Sequence, residues 1–173
     1  MNIKPIETHY KGYRFRSRLE ARWAVLFDAL NIKWEYEKEG FDMEGERYLP
    51  DFWLPGVAAW VEIKPFGKPK KSEIEKCKKL AERNTVYIFD GEPGELFDTE
   101  GSKFYAYGKM DGAQDVEEIV LRGMFFLGII DEKIASLIVG PNQKQNGHIE
   151  YANLAAYAIK KSRSARFEFG ENG

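Results

Sequence analysis

The chain has 173 residues, 31% of them charged, a formal net charge of −2, and four Trp, nine Tyr and twelve Phe. That length suits one domain, or one domain with a sizeable appendage, and the aromatic content can fill a core without covalent staples. A single cysteine, Cys77, excludes an internal disulfide and a cysteine-rich zinc site, which points to a reducing or redox-indifferent compartment.

The longest apolar run, Met124 to Ile130, is far short of a membrane span. The start of the chain is polar and charged rather than signal-like. The expectation is a soluble cytoplasmic protein with no membrane partner. A near-neutral balance speaks against a chain-wide affinity for nucleic acid, which leaves a basic footprint. The charge is uneven, however. Lys4, Lys11, Arg14, Arg16, Arg18 and Arg22 load the start, Lys64 to Lys79 form a second basic stretch, and acids concentrate from Asp90 to Glu118. A basic face with an acidic back fits this pattern.

Tyr10 to Arg16 alternates aromatic with basic residues, as a short strand or an extended arm. Arg14, Arg16 and Arg18 are candidate phosphate contacts, although solvated arginines are the commoner case. Ser17 opens a helix with Leu19, Trp23, Leu26 and Leu30 at core spacing and Asn31 at its end. Ser17-Arg18-Leu19-Glu20 also reads as a capping box, in which Glu20 reaches back to the Ser17 backbone. Lys33 to Glu37 predicts a strand, with Glu37 on the surface and a role in the site as the lesser alternative. Gly40 to Met43 leads through Glu44-Gly45 into the next segment.

Arg47 to Leu54 predicts a strand, and Pro55-Gly56 supplies a turn. Pro50 cannot donate to a ladder, so it marks an edge, a bulge or a strand end just before Asp51. From Trp60 to Lys64 the chain alternates. Ala59, Val61 and Ile63 then share an apolar core face, while Trp60, Glu62 and Lys64 share the other. If the two strands pair, Asp51 approaches Glu62. Two neighbouring carboxylates repel unless a cation lies between them, and Mg²⁺ or Mn²⁺ takes a few protein oxygens while keeping waters for chemistry. A lysine beside such an ion can orient or help deprotonate water and stabilise charge on a phosphate. A solvated surface hairpin is the bland alternative, and a bare Asp with Glu-x-Lys is a weak pattern.

Beyond Lys64, Pro65 to Pro69 breaks the strand. A helix follows from about Lys70 to Arg83, with Ile74, Cys77, Leu80 and Ala81 inward. Its lysines form a solvated face or track a nucleic-acid backbone, with Lys68, Lys70 and Lys71 the candidates. Thr85 to Phe89 is apolar throughout, as in a strand buried on both faces, and a parallel crossover from the Glu62 strand is the natural topology. Acidic turns run from Gly91 to Gly101. Further strands are expected at 104–107, 119–121, 124–130 and 134–139, with a short helix in the middle as the alternative, then a loop at 140–147. A helix from about Ile149 to Arg166 carries Ala152, Ala155, Ala156 and Ile159 on one stripe.

Three segments carry a family resemblance: Phe15-Arg16-Ser17-Arg18-Leu19-Glu20-Ala21-Arg22-Trp23-Ala24, Tyr48-Leu49-Pro50-Asp51-Phe52-Trp53-Leu54 and Trp60-Val61-Glu62-Ile63-Lys64-Pro65. Together they resemble the PD-(D/E)XK nuclease superfamily, with Pro50-Asp51 as the PD and Glu62-Ile63-Lys64 as the ExK. They are similar in particular to its small phage-encoded branch, the transposon end-cleaving endonucleases and phage junction resolvases. The likeness covers roughly residues 10 to 90, with a loose similarity of 163–168 to phage relatives.

The resemblance implies an α/β, restriction-endonuclease-like core of helix, three strands, helix and strand on a mixed sheet. That core would span residues 1–90. Residues 91–173 would form an α+β extension of strands and a terminal helix packed on it. The resemblance further implies a metal-dependent DNA endonuclease. Asp51, Glu62 and the Ile63 carbonyl would hold Mg²⁺ or Mn²⁺, Lys64 would act on water or the scissile phosphate, and Glu20 would complete the acidic cluster. Next to a bound cation, Lys64 would be pushed towards its neutral form. Two alternatives stand beside this. One is a structure-selective nuclease for branched or single-stranded DNA, such as a junction resolvase acting as a homodimer. The other is a non-catalytic module binding nucleic acid or protein, which the intact Asp51, Glu62 and Lys64 disfavour.

Overall fold

A computed structural model describes residues 5–67, 69–93, 104–108, 117–121 and 146–167. The chain is α/β. Its described residues include three helices and a six-stranded mixed sheet flanked by two small hairpins.

The lead-in is a hairpin of β1 (Thr8–Tyr10) and β2 (Tyr13–Phe15), paired antiparallel. Lys11 and Gly12 turn it with φ of 48° and 82°, the double positive-φ turn whose twist suits a two-residue hairpin. Helix α1 (Arg18–Ala29) starts at Ser17, whose Oγ accepts from the Glu20 N–H at 3.2 Å. It stops at Asn31, with φ of 57°. There the Ile32 N–H reaches the Phe27 carbonyl and the Asn31 N–H reaches that of Asp28, at 2.8 and 3.0 Å, a left-handed cap that asparagine tolerates.

Strand β3 (Glu35–Tyr36) follows, then the hairpin of β4 (Phe41–Met43) and β5 (Glu46–Tyr48), then β6 (Phe52–Leu54) and β7 (Ala59–Lys64). The strand expected over Arg47 to Leu54 is therefore two strands in two sheets. β5 pairs only with β4, whereas β6 pairs with β3 and β7. Pro50 lies in the break, where its missing N–H would have interrupted a ladder. Helix α2 (Lys71–Ala81) carries the chain across to β8 (Thr85–Asp90), which runs parallel to β7 with Glu62 beside Ile88. β9 (Phe104–Gly108) and β10 (Glu117–Leu121) extend the same sheet antiparallel, giving the order β10-β9-β8-β7-β6-β3. Helix α3 (Asn146–Ser164) closes the described chain. The strands expected at 124–130 and 134–139, and the loop at 140–145, lie outside the described residues.

Two cores flank the sheet. On one face α1 and α3 pack Trp23, Leu26, Phe27, Ala155 and Ala158 against Phe52, Leu54, Val61, Ile63 and Phe89. On the other, α2 and the β4–β5 hairpin pack Tyr48, Cys77, Leu80 and Ala81 against Trp60, Val86 and Ile88. Burying side chains of this size stabilises by about 1.5–3 kcal/mol each. The inner stripe of α3 differs from the expected one. Ala155, Ala158 and Ser162 are buried while Ala156 is exposed, because the small residues that let α3 approach α1 stand one position further round.

Candidate active site

The antiparallel register of β6 and β7 pairs Phe52 with Val61, so the next pair beyond the β6 start is Asp51 with Glu62. Both acids are buried. Asp51 Oδ2 accepts the Ile63 N–H at 2.7 Å, and Asp51 Oδ1 accepts from Arg16 Nη2 at 2.7 Å. Strand alternation accounts for the first bond. The Lys64 carbonyl faces β8, where it accepts the Gly91 N–H, so the backbone groups of Ile63 face the β6 side, where that strand has just ended. The Ile63 carbonyl stands on that same edge.

Glu62 is held by two side chains, one from β5 and one from its own strand. Its Oε2 accepts from the Tyr48 hydroxyl of β5 at 3.0 Å, and its Oε1 lies 2.5 Å from Lys64 Nζ. Lys64 Nζ is in turn 3.4 Å from Glu73 Oε1, in the first turn of α2. The start of α2, with exposed Lys70 and Lys71, is thereby tied to the same end of β7. Lys71 carries a distant pair with Glu75 at 3.9 Å. Lys68 lies outside the described residues.

Glu20 reaches this end of the sheet from α1. It does not close the expected capping box on the Ser17 backbone. Its Oε1 accepts from the Ser17 hydroxyl at 2.6 Å, and its Oε2 from the Arg16 N–H at 3.2 Å and the Tyr36 hydroxyl at 2.6 Å. The bond to Tyr36 turns that oxygen towards β3. Arg16 bridges the cluster, with Nε 2.6 Å from Glu37 Oε1. Glu37, expected at the surface, stands in the site because φ of 45° kinks the chain after β3 and its N–H bonds the Asp51 carbonyl at 2.9 Å.

Arg14 is in an exposed pair with Glu7 at 2.6 Å, a contact too solvated to hold it firmly. Arg18 opens α1, half-buried. In α2, Lys76 and Lys79 bind Glu46 and Glu44 of the β4–β5 hairpin at 2.9 and 2.5 Å. Part of the second basic stretch thus serves to attach that hairpin.

Among the described residues, Glu20, Glu37, Asp51, Glu62 and Glu73 gather around Arg16 and Lys64. Burial, followed by the fields of Glu62 and Glu20, pushes the Asp51 carboxyl well above the usual carboxylate range, against the opposing pull of the Ile63 N–H and Arg16. Burial alone would lower Lys64, but the Glu62, Asp51 and Glu73 carboxylates outweigh it and hold the amine above its ordinary value. The neutral Lys64 expected from the sequence presupposes a bound cation; without one the amine is charged. As they stand, the acids turn their oxygens to the chain's own donors, and among the described residues no three His, Cys, Asp or Glu form a ready-made cage.

Neither protein-family models, curated proteins nor solved structures give a match to this chain.

Tyr36, Tyr48, Glu37 and Glu73 are members of the cluster that sequence reasoning did not select. Tyr48 had a usable signal, since it lies three residues before Asp51 in the quoted motif. Glu73 had another, as an acid in the first turn of the helix after Lys64. Among the described residues no helix is long and apolar enough to cross a membrane.

Proposed function

We propose that the protein is a divalent-metal-dependent DNA endonuclease built on a restriction-endonuclease-like core. The observation that carries this reading is the placement of Asp51 opposite Glu62, with the Ile63 backbone and Lys64 at their side. The order α1, β3, β6, β7, α2, β8 supports it, with the β4–β5 hairpin as an insertion.

The donor set fits a hard cation. Asp51 and Glu62 carboxylates and the Ile63 carbonyl offer oxygen alone, which suits Mg²⁺ or Mn²⁺ over softer metals. When bound, such an ion supplies Lewis-acid stabilisation of the phosphate and a more acidic attacking water.

The chain's own residues do the rest. Lys64, held charged between Glu62 and Glu73, presents a positive charge to the phosphate as negative charge builds there. Tyr48 fixes the rotamer of Glu62, and the Ile63 N–H fixes that of Asp51, so both acids are preorganised. Glu20 braces the start of α1 against β3 and adds its charge to the acidic cluster. Exposed Lys70 and Lys71, beside the same strand end, suit backbone phosphates that need only a point charge.

The test is incubation with linear duplex, single-stranded and four-way-junction DNA, in Mg²⁺, Mn²⁺ or chelator, alongside Lys64→Ala. Cutting that needs metal and is lost in the variant is the expected result. The preferred DNA separates a duplex endonuclease from a structure-selective one. Absence of cutting on all three DNAs with both metals would replace the enzyme by a binding module.

A further inference from the structure

Asp51 and Glu62 are buried, and the side chain standing over Asp51 belongs to Arg16, which is 54% exposed. Its guanidinium bonds Asp51 Oδ1 at 2.7 Å and Glu37 Oε1 at 2.6 Å. One of the oxygens that the proposed ion needs is therefore already taken by a cation of the chain.

We infer that Arg16 is a resident counter-cation, which holds the place beside Asp51 until a divalent ion displaces it and then turns outward to a DNA phosphate. This rests on the nuclease reading above and adds to it a control on ion loading.

Three observations converge. First, two positive charges cannot share one carboxylate oxygen at contact distance without strong repulsion, so a loaded site expels the guanidinium. Second, the backbone of Arg16 is anchored independently of its side chain: its N–H reaches Glu20 Oε2 at 3.2 Å and the Tyr36 hydroxyl at 3.0 Å. The side chain can therefore swing on a fixed pivot. Third, the other cation cannot play this part, because Lys64 is only 19% exposed and is clasped by Glu62 and Glu73. Asp51 is buried, so losing Arg16 outright would strand its charge; a divalent ion that arrives as the guanidinium leaves keeps the carboxylate compensated, and the planar fork suits phosphate once released.

Under this arrangement the ion and the DNA assist one another, since a phosphate that draws Arg16 outward leaves Asp51 open. The control has two opposite signs. Removing Arg16 tightens ion binding and weakens DNA binding.

The decisive experiment titrates Mn²⁺ alone, by calorimetry, into wild type, Arg16→Ala and Arg16→Gln. Far-ultraviolet circular dichroism checks each fold, and Arg16→Gln keeps a polar side chain should the alanine variant fail to fold. The expected result is Mn²⁺ binding tightened about tenfold in the variants. On a Lys64→Ala background in Mn²⁺, adding Arg16→Ala should weaken duplex binding several-fold. Unchanged or weaker Mn²⁺ binding in folded variants overturns the role of Arg16, while a wild type that binds Mn²⁺ leaves the nuclease reading intact. No Mn²⁺ binding in any of the proteins overturns both.

Discussion

The Tyr48 hydroxyl stands 3.0 Å from Glu62 Oε2 and 3.3 Å from Cys77 Sγ, joining the site acid to the core beneath α2. Burial, then the neighbouring Cys77 and Glu62, push the Tyr48 hydroxyl far above its ordinary range, which keeps its proton available to Glu62 near neutral pH. Tyr48→Phe would leave Glu62 Oε2 buried with its donor gone. The expected cost is about 1–3 kcal/mol, read from urea denaturation midpoints, together with a loss of cutting as Glu62 loses its fixed rotamer.

Cys77 should be chemically silent in the folded protein. Its thiol is fully buried, and burial raises it to about 12. Thiolate is the reactive form, so iodoacetamide at pH 8 should label the native chain far more slowly than the urea-unfolded chain. Equal rates would mean that the α2 side of the sheet opens readily.

Asp51→Asn should stabilise the metal-free protein. The folded carboxyl is raised by burial and by Glu62 and Glu20, so its contribution to stability is full below the unfolded value of about 3.9 and is lost as pH rises through the folded value. At pH 7 the acid is a liability. The neutral amide can still accept the Ile63 N–H, and a gain of about 1 kcal/mol, or 2–4 °C in melting temperature, is expected in chelator. The advantage should shrink on acidification towards about pH 4. A drop in melting temperature at pH 7 would mean that the Arg16 pair outweighs the repulsion.

Asp28 ties the lead-in hairpin to the end of α1. It accepts from the Tyr10 hydroxyl at 2.8 Å and from Trp34 Nε1 at 3.2 Å, and Lys11 Nζ lies 2.9 Å away. Asp28→Ala should cost about 2 kcal/mol. Burial, then the hydrogen bond and charge of Asp28, raise the Tyr10 phenol, so the variant should also form tyrosinate at lower pH, which absorbance near 295 nm would follow.

Much of the framework was readable from local pattern. The alternation from Ala59 to Lys64, the Ser17 start and Asn31 stop of α1, and the parallel return through α2 to β8 all follow from periodicity and caps. The character of the Glu62 face was not readable. Trp60 and Glu62 are covered by α2 and by Tyr48, residues brought there by crossover rather than by neighbourhood in the chain. For Glu37 the site stood only as the lesser alternative to the surface, because a positive φ at a non-glycine residue has no compositional mark. The partnership of Arg16 with Asp51 joins residues 35 apart, and only the folded sheet reveals it.

Strand β7 is wedged between both hydrophobic clusters, with Val61 and Ile63 lodged in one, Trp60 in the other, and Glu62 flanked by them. Re-aiming that acid would disturb two packed layers at once, whereas the exposed turn of Pro65, Phe66 and Gly67 after Lys64 belongs to neither. Diversification of what such a protein acts upon would thus be channelled into its rim, while the inner geometry drifts slowly.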